Sequence, residues 1–131
     1  MVDKKLLRNF PRYNIIHLKP KLIFPTLENC KFIVKDLSLA GLQVYSNTKV
    51  SLKSFNAVTL IIGNKEYSLN IHQVWIEEDF VMDETYKAIL KEDGENLQYR
   101  SGFRLKFHDQ KSFLAWKNFV HAFHMHFHSK K

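Results

Sequence analysis

Two short patterns carry the residues best suited to chemistry. Arg8-Asn9-Phe10-Pro11-Arg12 sets two guanidiniums four residues apart, and Arg100/Arg104 repeats that spacing. These are the only four arginines of the chain; its other sixteen cations are lysine. Lysine is a hydrated point charge, whereas arginine is a planar five-donor fork that grips phosphate bidentately and stacks on rings. Paired arginines in a lysine-preferring chain are therefore candidate anion-binding positions. The second pattern is Asp36-Leu37-Ser38-Leu39-Ala40-Gly41, which places an acid, a hydroxyl and a glycine where one strand-like run ends and another begins. Asp and Ser there suit an Asx-type turn, and Gly41 suits a tight turn with no Cβ. Taken without its companion, the RxxxR segment reads as solvated tail charge.

Other chemistry is thinly represented. There is no P-loop, HExxH, GxSxG or Cys/His nucleophile pattern, so no enzyme and no cofactor are expected. Cys30 is the single cysteine, which excludes a disulfide framework or a cysteine-built zinc site. His121, His124 and His128 share a face of a C-terminal helix at metal-ligand spacing, but no carboxylate or cysteine accompanies them. Polar or cationic residues suit a helix C-terminus in any case, so no metal site is assigned.

The elements that must position these residues are mostly strands. Tyr13–Leu18, Lys21–Phe24, Cys30–Lys35 and Gly41–Tyr45 are short β-rich runs. Ala57–Ile62, the turn Gly63-Asn64 and Glu66–Ile71 read as a hairpin, extended by Val74–Ile76. Residues 77–97 have polar ends and admit a short helix; they read as a tolerated surface insertion more than as a partner site. Tyr99–Phe107 alternates again. After Asp109, an N-cap, residues 110–128 contain neither Gly nor Pro and gather Phe113, Trp116, Phe119, Val120, Phe123 and Phe127 on one helical face. Several short strands and one amphipathic helix predict a small barrel or curled sheet with a helix packed on it.

RxxxR, a strand pair and then DxSxxG, in that order and spacing, resembles the signature of the PilZ family of bacterial cyclic di-GMP receptors. DxSxxG alone arises by chance in roughly one chain of this length in twenty; the order and the surrounding strand plan carry the specificity. Gly41-Leu42-Gln43-Val44, Val74-Trp75 and Tyr99–Phe107 with its following helix are similar to later parts of the family's barrel. The resemblance implies a mainly β fold: a six-stranded antiparallel barrel with a C-terminal α-helix packed against it. A single domain would then span 1–131, with 1–12 a flexible lead-in, 13–108 the barrel with the 77–97 insertion, and 109–128 the helix. It also implies cyclic di-GMP as ligand, held by Arg8, Arg12, Asp36, Ser38 and Gly41. Guanidiniums would take the phosphates and the guanine O6/N7 edge or stack on the bases. Asp36 would accept from guanine N1–H and N2–H2, with Ser38 a neutral donor and acceptor. Leu7 stands where a third arginine would precede the pair, which leaves open one ligand or a stacked pair.

Composition is consistent with this. The chain has 131 residues, 45% hydrophobic and 25% charged, which suits one globular domain and excludes a disordered tail. No apolar run approaches a membrane span and Met1–Lys5 leads into no apolar signal core, so a cytoplasmic protein is expected. A net charge of +7 points to an anionic partner. The expected function is a non-catalytic cyclic di-GMP receptor that orders its arginine segment on binding and signals through a partner protein. A PilZ-like docking module without nucleotide binding and a basic small-barrel nucleic-acid binder are the alternatives; DNA binding is not expected.

Overall fold

The computed structural model describes residues 11–27, 29–50, 53–78 and 80–129, with side chains described as far as Phe123. Arg8 therefore lies outside the described residues. Seven strands form: β1 Tyr13–Asn14, β2 Lys21–Ile23, β3 Phe32–Leu37, β4 Gly41–Ser46, β5 Ser54–Ile62, β6 Lys65–Glu78 and β7 Tyr99–Lys106. Strands β2 to β7 close into a six-stranded antiparallel barrel in the order β3-β2-β5-β6-β7-β4, β4 returning to β3. The two-residue β1 pairs with the end of β3 beyond its contact with β2, setting Tyr13 against Leu37 and Asn14 against Asp36. Closure leaves the strands no long unpaired edge.

Local chemistry sets the breaks. The run from Tyr13 does not continue as a strand: Asn14 Oδ1 accepts from Ile16 N at 3.0 Å, an Asx turn that diverts the chain into a 3-10 turn at Ile16–Leu18. The expected β5–β6 hairpin forms at Gly63-Asn64, with Gly63 at φ +62°. Strand β6 is one continuous element that pairs first with β5 and then with β7, bulging between Gln73 and Trp75. Such bulges bend a strand, as a barrel wall requires.

Alternation puts Leu42, Val44, Phe103 and Leu105 inside the barrel, with Phe24, Phe32, Val34 and Leu60. Each such side chain contributes about 1.5–3 kcal/mol on burial. Helix α2 (Gln110–Ser129; its shorter predecessor α1 is Glu84–Leu90) is capped by Asp109, whose Oδ1 accepts from Ser112 N at 2.7 Å. It adds Trp116 and Val120 to the barrel core and lays Phe119 on Tyr67 at 4.2 Å.

The segment between β6 and β7 departs from the sequence expectation in two ways. It begins two residues later, because Glu77 and Glu78 still pair with Arg100 and Tyr99. It is also a packed element. Asp83 caps α1 by accepting from Thr85 N at 2.7 Å, and Met82, Leu90 and Leu97 join Ile16, Ile33 and Tyr45 in a second buried cluster. Ile33 and Tyr45 are the outward-facing residues of β3 and β4, so this segment seals the outer face of that hairpin.

Candidate functional site

The DxSxxG residues lie at the β3–β4 hairpin. Lys35 occupies a bulge between Val34 and Asp36, after which Asp36 pairs with Gln43 and Leu37 with Leu42. The extra residue re-aims the strand and turns Asp36 outward beside Gln43. Ser38 makes the turn. Its hydroxyl accepts from Ala40 N and Gly41 N, both at 3.2 Å, and its amide donates to Gly41 O at 2.9 Å. The Ser38 carbonyl accepts from Trp116 Nε1 at 3.0 Å, which ties the loop to helix α2. Gly41 differs from expectation: it opens β4 opposite Arg104 with ordinary strand backbone, and Gly63 is the glycine of positive φ among the described residues. The turn conformation is supplied by Ser38.

Arg12 and Asp36 are brought together. Arg12 Nη1 stands 4.0 Å from Asp36 Oδ1, a contact at the outer limit of an ion pair. Asp36 is only 8% exposed. Burial pushes its pKa above the ordinary carboxylate value; the positive charges of Arg12, Lys35 and Arg100 oppose this but do not outweigh it. The result is a largely buried carboxylate with a guanidinium at its rim.

Cross-strand pairing builds the surroundings. Asn14, Asp36, Gln43 and Gly102 lie in one row across β1, β3, β4 and β7. Gly102 has no side chain for a reason: a Cβ there would overlap Trp75 Nε1. In the neighbouring row Tyr45 pairs with Arg100, and Arg100 with Glu77. Arg100 Nη2 donates to Glu77 Oε2 at 2.7 Å, and its guanidinium lies 5.7 Å from the Trp75 ring and 5.8 Å from the Phe80 ring. Phe80 stacks on Tyr45 at 5.0 Å, and burial raises the Tyr45 pKa. The inserted segment thus delivers an aromatic residue to the wall of the site.

The motifs singled out Arg8, Arg12, Asp36, Ser38 and Gly41; Arg8 lies outside the described residues, and the other four lie at or beside this hairpin. Gln43, Trp75, Phe80 and Gly102 were not singled out as site residues, whereas the paired spacing with Arg104 does mark Arg100 as a candidate anion-binding position. Gln43 had one legible signal, a polar residue between Leu42 and Val44 in an apolar strand. Trp75, Arg100 and Phe80 meet only through register. No group of three His, Cys, Asp or Glu side chains suited to a metal occurs among the described residues; of the clustered histidines only His121 has a described side chain. No helix among the described residues is long and apolar enough to cross a membrane.

No protein-family model matches the sequence, and no curated protein does. Solved structures do. The PilZ domain of YcgR from Escherichia coli, determined with c-di-GMP, matches with a TM-score of 0.66 and 18% identity over 94% of this chain and 95% of that one. YcgR from Escherichia coli in complex with c-di-GMP matches with a TM-score of 0.65 and 14% identity over 94% of this chain. The match spans 48% of that longer protein. At this level of identity the likeness shows the fold: a closed antiparallel barrel with a C-terminal helix, similar to that of a PilZ domain.

Proposed function

We propose that this domain is a non-catalytic receptor for cyclic di-GMP. The observation that carries the reading is Asp36, a buried carboxylate 4.0 Å from the guanidinium of Arg12 and inside the RxxxR/DxSxxG pattern. Such a group is costly to leave unmet and is satisfied by a ligand that presents N–H donors next to an anion. Guanine N1–H and N2–H2 are such donors, and a phosphodiester is such an anion. Arg12 and Arg8 take phosphate or stack on the base, and Asp36 accepts from guanine. Ser38 holds the turn and offers its hydroxyl proton, and Gly41 starts the strand beneath. The two similar structures, both determined with c-di-GMP, support the choice of dinucleotide.

The signalling part of the proposal follows from the place of the arginines in the sequence, ahead of the first strand. Capture of ligand fixes the segment carrying Arg8 and Arg12 against the barrel, and a partner protein in the cytoplasm reads the ordered surface. Calorimetric titration with cyclic di-GMP tests the receptor reading. Saturable binding is expected, weakened about tenfold or more in Arg12→Ala, since one hydrogen bond to a charged group is worth about 1.5–3 kcal/mol. No heat at high micromolar ligand would favour a docking module instead. Equal hydrogen-exchange protection of residues 4–12 with and without ligand would sink the ordering step.

A further inference from the structure

We infer that Gln43 determines base specificity by accepting a hydrogen bond from the 2-amino group of guanine, next to Asp36. This rests on the cyclic di-GMP reading above. Gln43 on β4 is the direct antiparallel partner of Asp36 on β3 and of Gly102 on β7. Direct partners have Cβ atoms about 4.5–5.5 Å apart and share a face of the sheet, so amide and carboxylate stand side by side. Gln43 is 8% exposed, and its Oε1 is withdrawn from solvent with no hydrogen-bond partner among the described residues. Buried acceptors are nearly always met in native proteins, and one that is not asks for a reason. The neighbouring carboxylate is buried too, with Arg12 at 4.0 Å. Two adjacent side chains therefore offer acceptor oxygens for a ligand's hydrogens, Gln43 Oε1 having no partner among the described residues.

Guanine supplies them in matching number. One edge carries N1–H and the two hydrogens of N2. A carboxylate engaged in bidentate fashion takes N1–H and one N2 hydrogen. The remaining N2 hydrogen needs an acceptor beside the carboxylate, and Gln43 Oε1 is that acceptor. Adenine has neither N1–H nor a 2-amino group. Hypoxanthine keeps N1–H and lacks only the 2-amino group, so it isolates the contact assigned to Gln43.

The experiment titrates wild type and Gln43→Met with cyclic di-GMP and with cyclic di-IMP, its hypoxanthine analogue. Wild type binds cyclic di-GMP more tightly. In Gln43→Met that preference falls about fivefold or more, the fold-change that corresponds to one hydrogen bond of about 1 kcal/mol. An unchanged preference, or a loss that falls equally on both ligands, overturns the inference and leaves the receptor reading standing. Failure of wild type to bind cyclic di-GMP overturns the receptor reading and the inference with it. Without ligand, Gln43→Met removes an unmet acceptor at nearly constant volume, so its urea midpoint holds or rises. A lowered midpoint, or a variant that does not fold, shows a structural partner for the amide and also overturns the assignment.

Discussion

Replacing Asp36 with asparagine separates the stability of this domain from its binding, and the two effects have opposite signs. Burial raises the folded-state pKa of Asp36 above 3.8, its ordinary value. The folded state then binds the proton more tightly than the unfolded state. Stability linked to this group is greatest below 3.8 and is lost as pH rises through the raised folded value. At neutral pH the full penalty of the buried charge is present, and Arg12 at 4.0 Å does not cancel it. Asp36→Asn removes the charge with little change of shape, so the urea midpoint at neutral pH should hold or rise, and any gain should vanish in acid. Binding should move the other way. Asparagine offers one acceptor oxygen and turns an N–H2 toward guanine donors, so at least one charge-assisted bond of about 1.5–3 kcal/mol is lost, or about 10- to 150-fold in affinity. Ligand donors also favour the ionised carboxylate, so binding releases a proton and weakens as pH falls through the raised pKa. Calorimetry in buffers of different ionisation heat measures that proton, and Asp36→Asn should abolish it. A clear loss of stability at neutral pH would refute the reasoning, because Asp36 would then be a stabilising ion pair. Undiminished affinity would remove it from the site.

Two further substitutions test the frame around the site. Leu90→Ala opens the second cluster, where Leu90 is 1% exposed, and should cost about 2–5 kcal/mol by urea unfolding; a near-neutral result would return residues 79–98 to the status of loose decoration. Gly102→Ala forces a Cβ onto Trp75 and should cost about 1–3 kcal/mol while shifting the tryptophan emission; unchanged emission and stability would mean that the indole has other room.

Local chemistry made much of the fold legible. Alternation and turn residues located the β5–β6 hairpin, because Gly63 tolerates positive φ and the flanking residues alternate. Asp109 and the spacing of Trp116, Phe119 and Val120 located the final helix and its buried face. The run after Tyr13 was misread because the Asx turn at Asn14 competes with strand pairing and wins. The segment after Glu78 looked like a surface insertion because its apolar residues follow no clean period. Their target, Ile33 and Tyr45, is more than thirty residues upstream and invisible to any local window.

The candidate site divides in the same way. Motif order and its resemblance to the PilZ signature nominated Arg8, Arg12, Asp36, Ser38 and Gly41, and guanidinium, carboxylate and hydroxyl keep their chemistry wherever the chain goes. What the sequence could not carry is environment. Whether Asp36 is solvated or desolvated, whether Gln43 has a donor, and whether Arg100 lies near Trp75 and Phe80 depend on which strands become neighbours and in what register. Those neighbours come from distant parts of the chain, and a single bulge at Lys35 decides that Asp36 faces Gln43. Burial and pairing are properties of the closed barrel, so only the tertiary structure turned the acid of a short motif into a desolvated acceptor with a second acceptor beside it.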